Sequence, residues 1–85
     1  MTIYTEPLPK AKNIERLVRA AGPFPATAGA VMETARRRGL DADTLHFLEL
    51  FPEDEIFESR EDLSTRSEEL IFLIKEEQAE EEGEN

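Results

Sequence analysis

The sequence contains no cysteine, one histidine and only four glycines in 85 residues. Without cysteine it cannot form the disulfides by which small secreted domains offset a thin core. A single histidine and no thiol leave zinc short of its usual ligands. Glycine is too scarce for a phosphate-cradling loop, and neither familiar nucleotide-binding pattern is present. The longest apolar run, Leu70 to Ile74, falls far short of the ~20 residues that span a bilayer. The amino-terminal residues lack the basic-then-apolar pattern of a signal peptide. The expectation is one cytoplasmic domain with a small core, since a chain this short buries only about 60% of the surface its unfolded form exposes.

Basic residues are scarce in one half only. Residues 1–40 hold seven Lys or Arg and three acids, a balance of +4, whereas residues 41–85 hold three basic and seventeen acidic residues, a balance of −14. The net charge of −10 bears on association and solubility, and says little about fold.

Residues 1–8 show no period and read as an extended arm. From Pro9 the spacing of Ile14, Leu17, Val18 and Ala21 follows one helical face, and Gly22 suits a position just past the helix end. Pro23-Phe-Pro25 makes an extended connection. Thr27 is a good N-cap for a second helix buried through Ala28, Val31, Met32 and Ala35, with Arg36, Arg37 and Arg38 at its carboxyl end and Gly39 as terminator. Asp41 or Asp43 caps a third helix carrying Leu45, Leu48 and Phe51, ended by Pro52. Ser59 and Asp62 resemble a capping box for a fourth helix bearing Leu63, Leu70, Ile71 and Ile74, with a break near Ser64–Ser67.

One spacing recurs: Phe24, Thr27 and Val31 match Ile56, Ser59 and Leu63 as anchor, cap and first buried residue. Whether residues 24–27 and 55–58 pair as strands is open at this level. The reading is a mainly α, small four-helix domain over residues 9–75, with or without a short two-stranded ribbon. The expected core is Ile14, Leu17, Val18, Phe24, Val31, Met32, Ala35, Leu45, Leu48, Phe51, Ile56, Leu63, Leu70 and Ile74. Residues 76–85 are expected to form a disordered acidic tail, because they are dense in glutamate and lack an apolar face.

The ordered set Phe24-Pro-Ala-Thr27, Ala35-Arg-Arg-Arg-Gly39, Asp41-Ala-Asp43, Leu45, Leu48, Leu50-Phe-Pro-Glu-Asp54 and Ile56-Phe-Glu-Ser59 resembles a small bacterial family known as domain of unknown function 2795. The likeness covers about residues 24–63. It implies a compact, mainly helical domain and carries no chemistry across. The first helix, the Leu70–Ile74 segment and the acidic tail read as departures from it.

No residue set points to catalysis. His46 and Glu49 are too few for a metal site. Ser59 is explained as a cap, and Glu53-Asp-Glu55 lacks the alternating ligands and central glycine of a calcium loop. No enzyme activity, cofactor or metal is expected. The preferred function is an accessory or interaction module whose protein partner presents a basic patch. The candidate interaction residues are Arg36, Arg37, Arg38, Phe47, Phe72, Glu80, Glu81 and Glu82. The alternative is a nucleic-acid-associated regulator of helix–turn–helix type, built on residues 31–50. Its recognition helix would offer Asp41, Asp43 and Glu49 with no Lys or Arg, which disfavours direct DNA binding. No membrane contact is expected, and the chain is expected to be a monomer or to self-associate weakly.

Overall fold

The computed structural model describes residues 8–83, with side chains through Gln78. In chain order it comprises α1 (Ala11–Ala20), β1 (Ala26–Thr27), α2 (Ala28–Arg37), α3 (Ala42–Leu48), β2 (Ile56–Phe57) and α4 (Arg60–Gly83). The ribbon left open by the sequence exists: β1 and β2 are antiparallel, with Ala26 opposite Phe57 and Thr27 opposite Ile56.

Each helix starts and stops for a local reason. Thr27 Oγ1 accepts from the Ala30 N–H at 3.1 Å, as expected of an N-cap. Two further free donors of that first turn, the N–H groups of Ala28 and Gly29, donate to the carbonyls of Glu55 and Glu53 at 2.8 and 3.0 Å. The acidic turn therefore serves the amino end of α2 through its backbone. At the other end Gly39 takes φ +71°. The Leu40 N–H then reaches the Ala35 carbonyl and the Gly39 N–H that of Arg36, the paired closure in which a glycine turns the chain out of a helix. Asp41, not Asp43, caps α3, and its two oxygens accept from the N–H and the hydroxyl of Thr44 at 3.3 and 2.8 Å.

At α4, Ser59 Oγ accepts from the Asp62 N–H at 3.1 Å, while the Asp62 carboxylate accepts from the Glu58 N–H at 2.9 Å. A glutamate in this position would return to the N–H of the cap residue; the aspartate engages the residue before it. The expected break at Ser64–Ser67 is absent, and α4 continues through Gly83. Ser67 turns inward and is fully buried, so it sits on the packed face rather than interrupting the helix. Residues 76–83, placed in a tail by the sequence, continue α4; glutamate is a good helix former.

Most of the expected core is found inside, with two corrections. Ile56 is 51% exposed and Phe57 fully buried. Successive strand side chains point to opposite faces, so Phe57 lies inward with Ala26 while Ile56 and Thr27 share the outer face. Phe47, a candidate for the interaction surface, is also fully buried. The buried stripe of α3 is Thr44, Phe47 and Leu48, and the helix ends there, so Phe51 leaves it through a turn in which the Phe51 N–H donates to the Leu48 carbonyl at 3.2 Å.

Phe51 joins the two halves of the core. Its ring lies edge-on to Phe47 at 5.8 Å and to Phe57 at 5.2 Å. One cluster centres on Leu17, Val31, Leu48, Phe57 and Leu63; the other holds Ile14, Phe47 and Ile74.

Arg60 fastens α4 to the end of α1. Its guanidinium donates to the carbonyls of Val18, Ala21 and Arg19 at 3.0, 2.9 and 3.4 Å and stands 5.6 Å from the Phe24 ring centroid. These are acceptors at the helix end, where backbone partners run out. Gly22, with φ +127°, passes so close that a Cβ there would lie 3.3 Å from Arg60 Nη2. Arg66 plays a matching part at β2: it bonds Glu55 and Asp62 and lies 5.7 Å from the Phe57 ring centroid.

Candidate functional site

The helices separate the expected interaction residues instead of gathering them. Arg36 and Arg37 occupy the last turn of α2 and Arg38 its C-cap; all three are exposed. Arg37 donates to Thr34 Oγ1 at 3.3 Å. Their position suits the negative end of the helix dipole. Among the described residues the ion pairs are those of Arg66 with Glu55 and Asp62, and none involves these three arginines. Phe47 belongs to the core. Glu80, Glu81 and Glu82 fall on the last turns of α4, and their side chains lie outside the described residues.

The two helices on which the alternative rests are α2 and α3, joined at the Gly39 turn. Yet α3 is seven residues long, and its exposed positions are Ala42 and His46, followed by the exposed C-cap Glu49. Thr44, Phe47 and Leu48 are committed to the core. No Lys or Arg on α3 can neutralise a phosphate. Among the described residues no group of three or more His, Asp or Glu side chains could hold a metal ion, and no helix is long and apolar enough to cross a membrane.

What remains is α4. Its inner face carries Leu63, Ser67, Leu70 and Ile74 into the core. Its outer face carries Phe72 and Leu73, 61% and 58% exposed. Sequence reasoning left both Phe72 and Leu73 outside the buried stripe, and the structure exposes both. On a helix, residues three and four apart are neighbours. Glu69 and Glu76 therefore flank both apolar side chains, while Glu68 and, on the α1 side, Lys75 adjoin Phe72 and Glu77 adjoins Leu73. All four glutamates are exposed.

Phe72 also forms one wall of a groove between α1 and α4 of about 830 Å³. Leu8, Ile14, Val18 and Ile71 line its apolar floor, with Lys10, Arg19 and Lys75 among its charged rim. On the other side of Phe72, a shallower depression is bounded by Thr65, Glu68, Glu69 and Leu73. Phe72 is thus a ridge between a mixed-charge groove and an acidic outer face.

Among the described residues, four helices around a small core and one two-stranded ribbon define a compact mainly α domain. The model of the family described as protein of unknown function (DUF2795) matches residues 13–64, more than half of the chain, and the protein belongs to that family. No curated protein and no solved structure matches it. The match takes in most of α1, which the sequence reading had set apart from the family. It stops early in α4, so Phe72, Leu73 and their four glutamates lie beyond the matched residues.

Proposed function

We propose that this protein is a non-catalytic interaction module of the cytoplasm, and that the outer face of α4 docks a protein partner presenting a basic surface. The observation that carries this reading is the exposure of Phe72 and Leu73 side by side, flanked along the helix by Glu68, Glu69, Glu76 and Glu77. Large apolar groups rimmed by polar ones mark interaction sites. The net charge of −10 draws a cationic partner over distances beyond direct contact. The module acts as a monomer at physiological salt.

The experiment is capture from native lysate by the full chain and by a Phe72→Ala/Leu73→Ala variant, each with and without nuclease. Both side chains are exposed, so the variant should fold as the parent does. The reading expects a protein retained by the parent after nuclease and lost by the variant. Retention that requires nucleic acid would favour the helix–turn–helix alternative, and retention indifferent to the two substitutions would remove α4 from the account.

A further inference from the structure

The carboxylates around Phe72 and Leu73 are arranged symmetrically along the helix. Glu69 and Glu76 stand equally far from the midpoint of the apolar pair, and so do Glu68 and Glu77. A second copy docked antiparallel by a two-fold axis at that midpoint would set Glu69 of one copy against Glu76 of the other, and Glu68 against Glu77. A parallel copy would set each glutamate against its own counterpart. Both symmetric arrangements bring like charges together around the buried pair, and like charges facing each other across helices are unfavourable. Lys75 offers little relief. It is the one basic residue after Arg66, and it lines the α1 groove, not the outer depression. Residues 1–7 of the same chain are a poor match as well, since they contain no Lys or Arg.

We infer that the outer face of α4 takes a foreign helical segment bearing two adjacent large apolar residues, with Lys or Arg one turn before and one turn after them. This rests on the interaction reading above and names the partner's chemistry at the same face. The apolar pair supplies contact area. The four carboxylates select charge on both sides of it, and the same four disfavour a second copy docked symmetrically through this face. Selectivity of this kind combines an attractive partner with a repulsive competitor.

The test uses the full chain and three labelled peptides in fluorescence anisotropy at physiological salt. The first peptide has two leucines flanked by lysines as described; the second replaces those lysines with glutamates; the third keeps the composition of the first but moves the lysines away from the leucines. Four exposed charge contacts lead us to expect about tenfold or greater preference for the first over the second, and a clear preference over the third. A Glu68→Lys/Glu69→Lys/Glu76→Lys/Glu77→Lys variant, with an unchanged helical signal, should reverse the order of the first two. Phe72→Ala/Leu73→Ala should lose binding of the first. Equal binding of all three peptides overturns the inference, as does binding of none. So does a wild-type dimer at physiological salt that Phe72→Ala/Leu73→Ala dissolves, or binding that appears only after residues 1–7 are deleted. None of these results bears on the lysate capture, which judges the interaction reading separately.

Discussion

The ring of Phe51 stands edge-on to that of Phe57, with centroids 5.2 Å apart and planes at 87°. This contact ties the ribbon to the segment leaving α3, and it depends on Phe57 facing inward. Phe57→Ala should cost about 3–5 kcal/mol, as expected for a buried aromatic. A domain of this size has roughly 4–13 kcal/mol to lose. Ile56→Ala, one residue away on the outer face, should change stability by no more than about 0.5 kcal/mol. Urea denaturation of both variants, followed by circular dichroism, separates the two registers of the strand.

Much of the fold was legible because helix ends announce themselves locally. Thr27, Asp41 and Ser59 act within three residues of their own positions, and Gly39 does so through a backbone angle that favours glycine. Phe57 was missed because a two-residue strand is too short to display its alternation, and the Phe24–Ile56 spacing pointed to the wrong neighbour. Phe47 was missed because Thr44 reads as a polar, outward residue. Its hydroxyl is satisfied by Asp41, so it can be buried and carry Phe47 inward with it. The Arg60 contact with the end of α1 spans about forty residues of sequence and has no local signature. The α4 face was half visible, through Phe72; the glutamates singled out in the sequence, Glu80, Glu81 and Glu82, are not the ones that flank it.

Arg60 provides a second test. One planar guanidinium reaches three carbonyls at the end of α1 and also covers Phe24. Arg60→Ala should cost about 1–3 kcal/mol, the range for charged hydrogen bonds. Arg60→Lys should recover only part of this, because a single ammonium cannot reproduce the fork. Denaturant midpoints of the two variants against the parent are the measurement.

Asp62 links stability to pH. The Glu58 N–H holds its carboxyl below the ordinary range; burial opposes this, and the Arg66 guanidinium adds to the lowering. Glu55 and then Asp62 in turn raise Arg66, which stays charged throughout. A carboxylate whose folded pKa is depressed contributes stability above its unfolded pKa and loses it as pH falls through the folded value. The stability gap between the parent and Asp62→Asn should therefore be widest near neutrality and shrink once the pH drops below about 4. Urea titrations at several pH values from neutral to acid check this, and a gap that widens in acid would reverse the sign.

Ser67 is fully buried, and its hydroxyl has no hydrogen-bond partner among the described residues. An unsatisfied buried hydroxyl costs free energy, and alanine is the better helix former. Ser67→Ala should raise stability by about 1 kcal/mol. The check is a higher denaturant midpoint with an unchanged slope.

The claim on which the functional account rests is that α4 presents a binding face at Phe72 and Leu73. Its most direct test is residue-by-residue amide shift mapping of the isotopically labelled chain, titrated with the lysine-flanked leucine peptide. The account predicts perturbations concentrated between Thr65 and Glu77, saturating with the peptide and vanishing in the Phe72→Ala/Leu73→Ala variant. Perturbations centred on Arg36–Arg38 and α3, or none at any residue, would contradict it.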